Sequence, residues 1–169
     1  MNFKKTTLLA TIVAVGMGTA SIVNAATATA IWTGTVPSNS ADSIVITGVG
    51  SSTGDLVGMI IAEADGTFVS DVIVMESREN KAGQGQPAVP GDLVQTNWTV
   101  NDFVVRYDNK IRPDADPKLH INDQAVEIGS APTLASVITA QILQSSPIDA
   151  AEIEHADIRA SLTMMATKI

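Results

Sequence analysis

From Ala26 to Val36 every even-numbered residue is apolar or glycine, and every odd-numbered residue except Ile31 is threonine. A period of two puts Ala26, Ala28, Ala30, Trp32, Gly34 and Val36 on one face of an extended chain, whereas a helix would scatter them around its axis. The β-branched threonines favour the same extended backbone. The segment before it has Lys4 and Lys5, a short apolar centre from Leu8 to Met17, and small residues at Val23-Asn24-Ala25. That is the pattern of a cleavable export signal, Met1 to Ala25, with an apolar run shorter than the roughly 20 residues of a membrane-spanning helix. The mature chain is therefore expected to begin on a strand, where most chains are loose and polar.

Such a strand has two uses. It can be the first strand of the chain's own sandwich, or it can be lent to a neighbour. Small side chains and a glycine on one face suit a strand that slides between two sheet edges, and Trp32 is large enough to fill one deep pocket.

Removing the leader from 169 residues leaves about 144, the size of one domain with one core. Hydrophobic residues make up 45% of the chain but aromatics only 4%, so the core must be built from Val, Ile, Leu, Ala and Met, a composition that leans toward sheet. The formal charge is −8, and loss of Lys4 and Lys5 with the leader makes the remainder more acidic still. Nucleic acid is not expected as a partner, because phosphate binding needs concentrated positive charge. There is no cysteine, so stability has to come from packing and strand pairing even in an oxidising compartment.

After the arm, residues 26–37, and a polar link to Asp42, short apolar runs alternate with turn signals. Strands are expected at Ser43–Thr47, Leu56–Ala62, Phe68–Val69 and Val72–Met75, with Asp65-Gly66 as a turn. Asn80–Gly91 reads as an exposed loop inside a single domain spanning 38–169. Further strands are expected at Leu93–Val100, Phe103–Tyr107, Leu119–Ile121, Ala125–Ile128 and Leu134–Leu143, with Asp108–Lys118 a polar loop and Asn122-Asp123 a tight turn. Ile148–His155 carries a weak capping pattern for one helical turn. The chain ends on a second alternating stretch, in which Ala156, Ile158, Ala160, Leu162, Met164 and Ala166 share a face. Many short strands without a long helix describe an all-β sandwich.

The chemistry-bearing residues are sparse. His120 and His155 stand apart from any nucleophile, and neither a zinc motif nor a nucleophile elbow occurs, so an enzyme is not expected and no cofactor or metal is assigned. Asp108, Asp114, Asp116 and Asp123 supply closely spaced carboxylates of the kind calcium uses. Their spacing fits no complete calcium loop, and Lys110, Arg112 and Lys118 lie among them, so a solvated loop is the reading preferred here. Asn97-Trp-Thr99 matches a glycosylation acceptor pattern inside an expected strand, where Trp98 reads as core.

The export signal, the threonine-rich arm Ala26–Val36, the link Pro37–Asp42, the apolar strand Ile44–Thr47 and the alternating terminal strand Asp157–Ile169 together resemble subunits of Gram-negative chaperone–usher fimbriae. The likeness is greatest to the cysteine-free major subunits of common-pilus or alpha-type fimbriae. Ala156 and Lys168 stand where many members have a glycine and an aromatic residue. The resemblance implies an immunoglobulin-like β-sandwich that lacks its last strand. It also implies a donor-strand arm whose Ala28, Ala30, Trp32, Gly34 and Val36 enter a neighbour's groove, and an acceptor groove lined by Ile158, Ala160, Leu162, Met164 and Ala166. The implied partners are identical or related pilins, a periplasmic chaperone, an outer-membrane usher and a tip adhesin, with cell adhesion at the surface as the outcome. The competing expectation is a self-contained secreted β-sandwich that binds carbohydrate or protein through the Asn80–Gly91 loop.

Overall fold

The computed structural model describes residues 43–82, 86–149 and 156–169. The export signal, the alternating arm, the polar link and most of the expected helical turn at Ile148–His155 lie outside the described residues. Within them the elements run β1 (Ile44–Thr47), a 3-10 turn (Val49–Ser51), β2 (Ile60–Ala62), β3 (Phe68–Ser70), β4 (Ile73–Asn80), β5 (Pro90–Leu93) and β6 (Thr96–Tyr107). These are followed by β7 (Lys118–Ile121), β8 (Gln124–Val126), β9 (Thr133–Ala135), β10 (Val137–Gln144) and β11 (Ile158–Lys168).

Two antiparallel sheets result. In the first, β10 is central: Ala140 pairs with Ile73 on one side and Ile121 on the other. β3 and β4 follow one another along the same edge of β10, with β2 and β1 outside them, while β7 on the opposite edge carries β8. β5 adds a short pairing to the end of β4. In the second sheet β11 pairs with β6 from Ile158 opposite Tyr107 to Lys168 opposite Thr96, and β9 covers only Thr96–Trp98 on the other edge of β6.

Alternation decides which side chains meet between the sheets. Phe68, Ile73, Met75, Leu119, Ile121, Ile138, Ala140 and Ile142 come from the first sheet, and Trp98, Val100, Val105 and Tyr107 come from β6 opposite them, in one buried cluster. Each fully buried aliphatic side chain contributes about 1.5–3 kcal/mol, which makes this cluster the main source of stability in a chain without disulfides. Trp98 is 1% exposed, and its indole Nε1 donates to the Ala135 carbonyl at 3.0 Å, tying β9 to β6. The hydroxyl of Ser77 donates to the Val94 carbonyl at 2.6 Å and accepts from Thr96 Oγ1 at 3.0 Å, so a buried polar bridge joins β4 to the start of β6.

The turns follow their local chemistry. Gly66 takes φ 81°, and Asp65 Oδ1 accepts from both the N–H and the hydroxyl of Thr67. Asn122 and Asp123 sit at φ 49° and 63° between β7 and β8, and Asp108 and Asn109 at 48° and 64° after β6, the left-handed pairs that close two-residue hairpins.

Several boundaries differ from the sequence reading. Leu56–Met59 is not strand; only Ile60–Ala62 pairs, because the chain leaves the sheet between β1 and β2. β4 continues through charged residues to Asn80, since β1 and β5 pair with it there. Leu93–Val100 and Phe103–Tyr107 are not two strands: β6 is a single strand of 12 residues. Its polar middle is absorbed by a bulge, where Thr163 pairs with Asp102 but Met164 pairs with Val100, leaving Asn101 as the extra residue. Leu134–Leu143 divides the opposite way, into β9 and β10, which belong to different sheets.

Candidate strand-acceptor seam

β11 is one of the two edge strands of the second sheet, with β9 the other, and β1 is one of the edge strands of the first; β1 and β11 lie close together across the sandwich. Among the described residues no strand pairs with the free edge of either. Unpaired N–H and C=O groups along an edge of 11 residues form a template for another strand. β11 has this form because its sequence alternates without a Gly or Pro to interrupt it, and because β6 is long enough to pair with all of it.

The five positions expected to line a groove are brought together on one face. Ile158, Ala160, Leu162, Met164 and Ala166 all point inward and are 2–7% exposed, packed in the core cluster. A strand added beside β11 would set its own inward side chains next to these five. The intervening residues Ser161, Thr163, Met165 and Thr167 are half-buried on the outer face. The five positions expected to enter such a groove, Ala28, Ala30, Trp32, Gly34 and Val36, lie outside the described residues.

The β1 wall of the seam is held by a network that sequence reasoning did not find. Glu76, 8% exposed on β4, receives Arg78 Nε at 2.8 Å and the other guanidinium nitrogen Nη2 at 2.7 Å. It also accepts from Thr47 Oγ1 and from the backbone N–H groups of Gly50 and Ser51, each at 3.4 Å. Gly50 and Ser51 have φ 67° and 68°, a left-handed turn that serine seldom adopts and that aims both N–H groups at the carboxylate. Arg78 in turn donates from Nη1 to the Gly91 carbonyl at 2.9 Å. The signal available in the sequence was Glu76-x-Arg78, a pair of opposite charges on one face directly after the apolar residues Ile73, Val74 and Met75.

Hydrogen bonding from Arg78 holds the Glu76 carboxyl below its ordinary range, against the opposing effect of desolvation; the Ser51 and Gly50 N–H groups act in the same downward direction. A carboxylate with a depressed folded pKa contributes stability that is present above its unfolded pKa and is lost as pH falls through the folded value. The expected result is that the stability difference between the wild-type chain and Glu76→Gln, measured by urea unfolding, is full at pH 7 and shrinks below about pH 4. A difference independent of pH would remove the ionised carboxylate as its source.

The acidic loop serves other contacts. Arg112 grips Asp114 with two hydrogen bonds, at 3.0 and 2.8 Å, and Lys118 reaches Asp116 at 2.8 Å. Asp108 accepts the Asp157 N–H at 2.8 Å, fixing the start of β11 to the end of β6. Among the described residues no group of three or more His, Cys, Asp or Glu is placed to hold a metal ion. His120 lies on β7, while His155 is outside the described residues.

The same loop forms one side of a half-open cavity of about 170 Å³, lined by Phe103, Val105, Tyr107, Arg112, Ala115 and Pro117. The Tyr107 hydroxyl is buried there and has no hydrogen-bond partner among the described residues. Its pKa is pushed up to about 12 by desolvation and by Asp114, with Arg112 opposing, so the phenol is neutral at physiological pH.

Comparison of the chain with protein-family models, with curated proteins and with solved structures returns no match.

Proposed function

We propose that this chain is a structural subunit of a surface fimbria, polymerising by donor-strand exchange and supporting adhesion. The observation that carries the reading is the seam: two strand edges, β1 and β11, that are unpaired among the described residues flank the same side of one core. A chain that also has a strand-forming segment of matching alternation, Ala26–Val36, has both halves of a head-to-tail contact. A heterologous contact of this kind does not close on itself and propagates into a filament. The order β1–β4–β10–β7 facing β11–β6–β9 supports an immunoglobulin-like sandwich without the strand that would lie beside β11. On this reading a periplasmic chaperone covers the seam before assembly, an usher exports the subunit, and related pilins and a tip adhesin are its neighbours in the fibre.

The test is Trp32→Asp. A carboxylate forced into an apolar pocket costs several kcal/mol, comparable with the anchor's whole contribution. Surface filaments are expected to be lost while periplasmic subunit is retained; filaments at the wild-type level would remove Trp32 from the anchor role.

The half-open cavity beside β6 favours a second reading, a self-contained secreted binding module for carbohydrate or protein. Its site would then be the cavity instead of the Asn80–Gly91 loop. A module of that kind is stable and monomeric without a chaperone, and the fimbrial subunit is not.

A further inference from the structure

The Glu76 carboxylate collects five donor contacts from β1, the 3-10 turn and β4, and its partner Arg78 extends the network to β5 through Gly91. β1 is only four residues long, pairs on one edge alone, and is followed by a turn with two left-handed residues. Four backbone pairings at the margin of a sheet are a weak attachment, because such an element opens locally at low cost. The short charge-assisted bonds are those from Arg78, while Thr47, Gly50 and Ser51, the end of β1 and the turn leaving it, reach the same carboxylate at 3.4 Å each, long contacts that act through their number and its charge.

We propose that Glu76 is the positioning residue of the seam: together with Arg78 it pins the end of β1 to β4, and so holds rigid the wall against which an incoming strand docks beside β11. This rests on the strand-acceptor reading above. A pre-formed wall spares the incoming strand the cost of ordering β1, so the clamp acts on how tightly a strand is held without touching it. Thr47 is the link that transmits this, since it pairs with Glu76 through the backbone and also donates its hydroxyl. The fold of the central strands does not depend on the clamp. β10 is paired on both edges and packed by Ile138, Ala140 and Ile142, all 0% exposed.

The experiment uses the mature chain as wild type, Glu76→Gln and Glu76→Asp, with Ile142→Val as a control that lowers global stability from the core. Amide hydrogen exchange is read at Ile44–Thr47 and along β10. Binding is read with a fluorescent synthetic peptide of the sequence Thr27–Val36. Glu76→Gln is expected to speed exchange in β1 about tenfold or more, with β10 affected no more than in Ile142→Val, and to weaken peptide binding by about the same factor. Glu76→Asp, which keeps the charge, is expected to fall between. Unchanged β1 exchange in Glu76→Gln overturns the proposal, as does faster β1 exchange with peptide affinity equal to wild type. Failure of the wild type to bind the peptide sinks the fimbrial reading instead, and the pinning of β1 then stands or falls on the exchange data alone.

Discussion

Fusing a second copy of Thr27–Val36 behind Ile169 through a short flexible linker is expected to produce a monomer that melts at least about 10 °C above the parent. The chain leaves β11 at Lys168, and a short linker turns it back antiparallel along the free edge of the same strand. A tethered strand has an effective concentration of about millimolar, so pairing within the chain outcompetes pairing with a neighbour. Binding to the folded state at about a hundred times its dissociation constant adds roughly 2.7 kcal/mol, which corresponds to about 10 °C for a domain of this size. Thermal unfolding and light scattering of fusion and parent decide the matter. A parent that is already a cooperative, heat-stable monomer, unaltered by the added strand, leaves no gap to fill and defeats the fimbrial assignment.

Trp98→Ala is expected to be the most damaging single change in the described core. The indole is 1% exposed between the sheets, and its loss removes both the packing and the hydrogen bond to Ala135 that ties β9 to β6. Large aromatic-to-alanine changes of this kind cost about 3–5 kcal/mol, against a total stability of about 5–15 kcal/mol for a single domain. Urea unfolding should show a midpoint shifted far down, or no folded baseline at all. Trp98→Phe, which keeps an aromatic ring and most of the volume while losing the N–H donor and part of the indole, should cost less. A loss below about 1 kcal/mol for Trp98→Ala would mean that the indole does not bridge the sheets.

The seam and the clamp differ in how they could be read from residues. β11 was visible because Ile158, Ala160, Leu162, Met164 and Ala166 alternate with polar residues, and a period of two maps directly onto an inward face. The role of Glu76 was hidden because its partners are remote: Thr47, Gly50 and Ser51 are separated from it by 25–29 positions. The calcium-like spacing of Asp114 and Asp116 was legible, but the ion pairs with Arg112 and Lys118 needed a folded loop to be seen.

Local periodicity and turn chemistry by themselves determined the all-β class, the turns at Asp65-Gly66 and Asn122-Asp123, the burial of Trp98 and the inward face of β11. Each of these depends on neighbours within a few residues, where side-chain direction and φ preference act. Tertiary structure alone decided that β6 passes unbroken through Asn101-Asp102, that β9 and β10 part into different sheets, and that β1 lies near β11 with both outer edges unpaired among the described residues. Those features follow from which strands find each other across long stretches of chain. A bulge is tolerated when 11 residues of β11 pair around it, and an edge is open only in relation to the strands that could have covered it.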